Sequence, residues 1–107
     1  MALDPGVIPE VAARFKALGD PGRLLLVALL HDGEKSVSQL VMASGRSQPN
    51  VSQQLAGLAR AGLVLSRREG TQVFYRVADP YLIRICDAVC ASLERGPAGR
   101  RKVRRRA

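Results

Sequence analysis

The spacing of apolar residues changes once along the chain, and this change restricts the fold more than any other feature of the sequence. Up to Gly62 apolar residues recur every three or four positions, as on helices, whereas residues 63–77 alternate between apolar and polar, as on strands. Gly70 lies inside the alternating stretch and predicts the turn of a β-hairpin there. The sequence therefore predicts several helices, one hairpin, and a last helix from Pro80 to about Leu93.

Capping residues and turns divide the chain before the hairpin into four helices. Asp20-Pro21 is typical of a helix start, because the carboxylate accepts hydrogen bonds from free N–H groups and proline at that position loses none. Ser36 and Ser47 precede two further helical stretches, separated by a tight turn at Gly45. Two helices joined in this way indicate a helix-turn-helix. The predicted helices are 8–18, a buried helix 21–30 that is apolar nearly all round, a short helix after Ser36, and one from Ser47 to the Ala61-Gly62 turn.

The length and the apolar runs limit the class of protein. A chain of 107 residues fits one domain. Its longest unbroken apolar run, residues 24–30, is far shorter than the ~20 residues that span a bilayer. The first five residues lack the basic flank and apolar stretch of a signal peptide. We therefore expect a cytoplasmic protein without a membrane partner.

The net charge of +8 is concentrated at the end of the chain. Seven of the 17 basic residues and no acidic residue follow Glu94, which leaves ten basic against nine acidic groups in residues 1–94. Clustered cations without aromatic residues predict a disordered tail attracted to a polyanion such as nucleic acid, although a solubilising end explains the charge equally well. The predicted organisation is an N-terminal extension (1–7), one domain (8–94) and a basic tail (95–107).

The helix that begins at Ser47 has an outward surface suited to reading DNA. No acidic residue occurs in residues 45–68, whereas an ordinary exposed helix would carry Glu and Lys pairs. Amide and hydroxyl groups can donate to and accept from base edges in the major groove, and the absence of carboxylates avoids repulsion by phosphate. With Val51 facing inward, the outward half holds Pro49, Asn50, Gln53, Gly57 and Arg60, with Gln48 in the first turn and Ser52 and Gln54 at the borders.

The hairpin beside this helix carries side chains that can contact the DNA backbone or the minor groove. Arginines stand just before its tip, and Thr71 and Gln72 stand at the tip. Arginines elsewhere, Arg46 and Arg60, are expected to neutralise phosphates. The candidate DNA-binding residues are Arg46, Ser47, Gln48, Pro49, Asn50, Ser52, Gln53, Arg60, Arg67, Arg68, Thr71 and Gln72.

Five segments of the chain follow one another in a recognisable order. They are Ala17-Leu-Gly-Asp-Pro-Gly-Arg23-Leu, Ser47-Gln-Pro-Asn-Val-Ser-Gln-Gln-Leu55, Ala61-Gly-Leu-Val64, Arg68-Glu-Gly70 and Tyr75-Arg-Val. This ordered set resembles the ArsR/SmtB family of winged-helix repressors over roughly residues 10–93. The resemblance implies a mostly α winged helix-turn-helix with a β-hairpin wing. It also implies a homodimer joined by the first and last helices on a near-palindromic operator, with Gln48, Pro49, Ser52 and Gln53 at base-contacting positions.

The metal sites known in this family are missing from the chain. Two cysteines and an acid near the start of the third helix correspond here to Ser36-Val-Ser-Gln39. The interfacial zinc site of the last helix would begin with Asp, a spacer and His, but the chain has Asp79-Pro80-Tyr81, with Ser92 and Arg95 at the later ligand positions. His31 is the sole imidazole. The sequence therefore predicts no metal site of the family's known types and no resident cofactor.

Cys86 and Cys90 are the only cysteines, four residues apart and hence on nearly the same face of the last helix. In a two-fold dimer they could bring four thiols together, as a sensor for a thiol-reactive effector or a site for a thiophilic metal ion. Buried cysteines also serve as small apolar packing residues, which is the interpretation we favour. Reduced thiols are expected in either case.

The sequence gives little support to catalysis. It contains no glycine-rich phosphate loop, no paired carboxylates at catalytic spacing and no nucleophile beside its lone histidine. We therefore predict a homodimeric, sequence-specific DNA-binding regulator, most simply a repressor, and not an enzyme. The alternative is a winged-helix module for protein interaction or RNA binding that does not recognise an operator.

Overall fold

The computed structural model describes residues 3–95, which form five helices and a three-stranded antiparallel sheet. A 3-10 turn, Pro5–Val7, precedes the first helix. Most of the predicted basic tail, residues 96–107, lies outside the described residues, whereas Arg95 ends the last helix. In chain order the elements are α1 (Ile8–Leu18), α2 (Pro21–Leu29), β1 (Lys35–Ser36), α3 (Val37–Ser44), α4 (Gln48–Arg60), β2 (Val64–Glu69), β3 (Gln72–Val77) and α5 (Pro80–Arg95).

The helix starts are set by the predicted capping side chains. The carboxylate of Asp20 accepts a hydrogen bond from the backbone N–H of Arg23 at 2.9 Å, at the start of α2. Ser36 and Gln39 form a reciprocal capping box at the start of α3. The Ser47 hydroxyl accepts from the Asn50 N–H at 3.2 Å and caps α4. Each cap satisfies a donor that has no partner inside the helix, so these starts are encoded locally.

The sheet has one more strand than the sequence predicted. Its order is β1-β3-β2, with the β2–β3 hairpin, called the wing from here on, paired along its full length. Gly70, at the wing tip, has φ of +63°, a left-handed conformation that glycine adopts without strain. The additional strand, β1, is two residues long and pairs with β3 through Lys35 and Ser36. A strand this short leaves no alternating pattern to detect.

The core lies where α2, α3 and α4 meet the base of the wing and the start of α5. Leu26, Leu40 and Leu55 have no exposed surface, and they are joined by side chains from α1 and α5. Helix α2, predicted to be buried and apolar nearly all round, buries Leu26, Val27 and Leu29 but leaves Leu24 41% exposed. The buried core residues are Leu18, Leu26, Val27, Leu29, Leu30, Leu40, Val51, Leu55, Leu58, Leu63, Val64 and Leu82.

The two helices predicted to form the dimer interface carry large apolar side chains at the surface. On α5, Leu82 is buried, but Val89 is 54% exposed and Leu93 is 51% exposed. On α1, Phe15 is 54% exposed. The apolar stripe of α5 therefore packs on its own domain only near the helix start. No helix within residues 3–95 is both long and apolar enough to cross a bilayer.

Candidate nucleic-acid interface

Helix α4 is held by its inner face and leaves an uncharged polar surface outside. Val51, Leu55 and Leu58 have no exposed surface, which fixes the rotation of the helix about its axis. On the other side Gln48, Pro49 and Gln53 are exposed and Ser52 is half-buried. The Gln48 amide donates to the Ser52 hydroxyl at 2.9 Å. This hydrogen bond fixes the side chains of two successive turns relative to each other. We call these four residues, Gln48, Pro49, Ser52 and Gln53, the reading surface.

Asn50 does not share the fully outward position that was predicted for it. Its residue is half-buried, and its Oδ1 atom is buried without a hydrogen-bond partner among residues 3–95. The reason is that Asn50, Gln54 and Gly57 form one row along α4 at spacings of four and three, and all three are half-buried. The buried arc of the helix is therefore wider than the Val51 stripe alone suggested.

Arg23 connects α1, α2 and α4, a role that the sequence did not suggest. Its Nε donates to the backbone carbonyl of Ala17, at the end of α1, and its Nη1 donates to Oε1 of Gln54 at 3.2 Å. A Cβ added to Gly57 would lie 3.5 Å from the Arg23 Nη1 atom. Gly57, predicted on the outward half of α4, instead lies beside this guanidinium, where an added Cβ would make an ordinary van der Waals contact. Arg23 therefore links α4 to the end of α1 through hydrogen bonds.

Arg46 lies against the body of the domain. It is half-buried in the turn between α3 and α4, and its Nη1 atom is 3.1 Å from where a Cβ on Gly22 would stand. Gly22 is itself buried at the start of α2. Arg60, the other arginine predicted to neutralise phosphates, is exposed at the end of α4. The two arginines predicted to act alike therefore occupy different environments.

The wing tip and the reading surface border a common cleft of about 290 Å³. Thr71 and Gln72 line it from the wing, and Gln48 and Ser52 line it from α4. All the described residues that line the cleft are uncharged, so hydroxyl and amide groups dominate its polar surface. Arg68 is exposed on β2 and forms no ion pair within residues 3–95. The fold thus places the candidate side chains of α4 and those of the wing tip around one cleft.

Arg67, predicted to contact DNA beside Arg68, is engaged within the protein. Its Nε and Nη2 atoms donate to the two carboxylate oxygens of Glu34 at 2.8 and 2.7 Å. Its Nη1 atom lies 3.3 Å from Oε2 of Glu69, and its guanidinium stacks 4.6 Å from the centre of the Phe74 ring. No local signal could reveal the pair with Glu34, because the two residues are 33 positions apart.

The ion pair shifts the titration of Glu34. The hydrogen bond from Arg67 lowers the pKa of Glu34 below its ordinary value of 4.5, and the positive charges of Arg67 and Arg76 act in the same direction. Because the pKa is lower in the folded state, the pair stabilises the fold above pH 4.5, and this contribution is lost as pH falls through the lowered value. The contribution is small, since water screens an exposed pair.

The two cysteines of α5 are both half-buried and free. Cys86 packs against the core. Burial raises the pKa of the Cys86 thiol, and the neighbouring Cys90 and Asp87 raise it further, so the thiolate that binds metals and attacks electrophiles is disfavoured. Within residues 3–95 no group of three or more His, Cys, Asp and Glu residues is placed to hold a metal ion.

Comparisons with known proteins agree with this architecture. The model of the family described as "Bacterial regulatory protein, arsR family" matches residues 20–66, from the start of α2 into β2. The biofilm growth-associated repressor of Agrobacterium fabrum is 42% identical in an alignment of 98 positions, and the match covers 83% of this chain and 84% of that protein.

Solved structures resemble the chain over most of its length. The crystal structure of the transcriptional repressor BigR from Xylella fastidiosa has a TM-score of 0.74 and 38% identity, covering 80% of this chain and 88% of that one. The solution structure of a homodimeric winged helix-turn-helix domain from Mycobacterium bovis has a TM-score of 0.79 and 30% identity, covering 97% and 100%. At 30% and 38% identity over at least 80% of this chain, these matches indicate a shared family and not only a shared fold. The chain therefore belongs to the ArsR family of bacterial regulatory proteins, DNA-binding winged helix-turn-helix regulators of transcription, which are not enzymes.

Proposed function

We propose that the chain represses transcription as a homodimer that places one α4 in each of two successive major grooves of a near-palindromic operator. The observation that carries the proposal is the reading surface, in which Gln48, Pro49 and Gln53 are exposed and Ser52 is half-buried, on a stretch without acidic residues from position 45 to 68. Such groups can read base edges, and a two-fold dimer matches two half-sites one helical turn apart. The names of the relatives from Agrobacterium and Xylella support repression.

The proposed contacts follow the position and the charge of each side chain. Gln48, Pro49, Ser52 and Gln53 read bases, while Ser47, which caps α4, lies beside the nearest phosphate. Two exposed arginines bind the backbone without regard to sequence, and the neutral wing tip lies along the flanking groove. Asn50, Arg46 and Arg67, which face or bind the protein itself, hold the interface in shape. The backbone-binding and wing residues are Arg60, Arg68, Thr71 and Gln72.

The proposed dimer interface is the exposed apolar face of α1 and α5. Phe15, Ile85, Val89 and Leu93 are between 40% and 54% exposed, and in water these side chains favour burial. A contiguous exposed apolar patch on a small domain indicates a protein interface. The homodimeric relative from Mycobacterium bovis supports a second copy as the partner. Because its target is DNA, we place the protein in the bacterial cytoplasm.

Replacing Gln53 by Ala tests the reading surface. The operator is first selected from random duplexes. The variant should then lose affinity for it by about 1–3 kcal/mol, the contribution of one bidentate side chain to base discrimination. Affinity for a scrambled duplex should be unchanged, because Gln53 is neutral and contributes nothing to counterion release. Fluorescence anisotropy at fixed salt measures both.

The scrambled duplex is the control for general damage to the protein. Equal losses on operator and scrambled DNA would contradict the role of Gln53 as a reader. Double-stranded RNA of the operator sequence provides a further control, because its deep and narrow major groove does not admit α4. Equal binding of RNA and DNA would favour the RNA-binding module.

The thiols of α5 are proposed to be packing residues, since Cys86 lies against the core with a raised pKa. Operator binding should therefore be the same for the reduced protein, for protein treated with a thiol oxidant, and for the Cys86→Ser/Cys90→Ser variant. Titration of each with a thiophilic metal ion should likewise leave binding unchanged. Release of the wild type alone by oxidant or metal would contradict the packing role and identify a thiol sensor.

A further inference from the structure

Arg67 and Glu34 form a contact that crosses the whole sheet. In the strand register Arg67 of β2 pairs with Phe74 of β3, and Phe74 pairs with Ser36 of β1. The Arg67 guanidinium lies over the Phe74 ring and reaches Glu34, two residues before Ser36. The contact therefore connects the outer strand of the wing to the segment that leads through β1 into α3.

The hydrogen-bond donors of Arg67 are largely occupied. Both Nε and Nη2 bind Glu34 in the two-pronged arrangement that suits a carboxylate, and Nη1 faces Glu69. The stacking on Phe74 holds the guanidinium plane in place. A phosphate would have to displace Glu34 to bind this arginine with the same geometry.

The base of the wing is anchored in the core by Val64 and Val77, and the Glu34–Arg67 contact holds the hairpin nearer its tip. Besides this packing and the pairing of β1 with β3, an ion pair between Glu34 and Arg67 links the outer strand of the wing to the segment before β1. Thr71 and Gln72 line the cleft from the wing and Gln48 lines it from α4, so its width changes with the distance between wing and helix. Fixing that distance before DNA arrives lowers the entropy lost on binding.

We infer that Glu34 and Arg67 act as a wing clamp, a pair of positioning residues that raises the specificity of DNA binding by fixing the wing and by withholding one cation from the phosphates. This inference rests on the proposed function. The exposed pair adds little to the stability of the fold, so its effect lies in the ratio of operator to scrambled-duplex affinity.

The test compares Glu34→Gln with Glu69→Gln, which removes the same charge from the same region but leaves the two-pronged pair intact. Glu34→Gln should strengthen binding to scrambled DNA and steepen the dependence of log K on log salt by about one unit, because the freed arginine now counts as a phosphate contact. The affinity ratio should fall about tenfold, the size of a typical mutational effect on coupling. Glu69→Gln should leave the ratio unchanged.

A charge-swapped variant, Glu34→Arg with Arg67→Glu, decides whether Arg67 itself contacts DNA. The swap restores an ion pair across the sheet. If the pair acts as a clamp, the ratio of operator to scrambled-duplex affinity in the swapped variant should lie closer to the wild-type value than the ratio in Glu34→Gln does. If Arg67 binds phosphate, the swap places a carboxylate against DNA and operator affinity collapses, which overturns the inference. An unchanged ratio and salt slope in Glu34→Gln would also overturn it.

Measurements on the wild type distinguish a failure of the proposed function from a failure of the wing clamp. A wild-type protein that does not distinguish its selected operator from scrambled DNA contradicts the proposed function. A wild type that does distinguish them, beside a Glu34→Gln variant that does so equally well, contradicts the clamp alone.

Discussion

Replacing Val89 by Glu is expected to convert the protein into a folded monomer that no longer holds its operator. Val89 is 54% exposed on α5, so its own domain does not need it, but a two-fold interface would bury the new charge twice. Losing one half-site should lower operator affinity by about 10³-fold, toward the level of nonspecific binding. Sedimentation velocity and anisotropy measure the two effects on the same samples.

Asp87→Lys is the matched control for this experiment. Asp87 is exposed on the same helix, about 200° around the axis from Val89 at 100° per residue. The substitution changes the charge by more than the Val89 variant does, yet the protein should remain a dimer with unchanged operator affinity. A dimeric Val89→Glu variant with wild-type binding would show that the second copy docks elsewhere.

Replacing Leu55 by Ala is expected to cost about 2–5 kcal/mol of unfolding free energy, since the side chain has no exposed surface and leaves a cavity. That is a large fraction of the 5–15 kcal/mol typical of a domain, so the midpoint of thermal unfolding should fall by roughly 10 °C or more. Protomer concentration must be held constant, because unfolding of a dimer depends on it.

Gln53→Ala serves here as the control for helix propensity, because it introduces the same alanine into α4. Gln53 is exposed two residues away on α4, and its loss should change stability by less than about 0.5 kcal/mol. The two variants thus separate the inner and the outer face of one helix: Leu55 affects folding, and Gln53 affects recognition. A loss below about 1 kcal/mol in Leu55→Ala would mean that α4 is not anchored as described.

Features encoded within a few residues could be predicted. Asp20, Ser36 and Ser47 cap helices through bonds to N–H groups three positions away, and Gly70 turns the wing with its own backbone. The period of apolar residues likewise depends only on near neighbours along the chain. For this reason the helix starts, the wing and the exposure of Gln53 agree with the predictions made from the sequence.

Features created by contact between distant segments could not be predicted. Glu34 meets Arg67 across 33 positions, and Arg23 meets Gln54 across 31. Both contacts gave a predicted surface position a partner within the protein: Arg67 pairs with Glu34, and Gly57 lies beside the Arg23 guanidinium. The half-burial of Asn50 has the same origin, since α4 meets its neighbours over a wider arc than one apolar stripe defines.

The amino-acid sequence was enough to predict that α4 carries an uncharged polar outer surface, because side-chain chemistry and the absence of acids are properties of residues and remain after folding. Which of the basic side chains pair with carboxylates of the protein itself was decided only by the tertiary structure. The sequence gives the number of charged side chains. Which of them form ion pairs depends on what the folded chain brings within about 3 Å of each one.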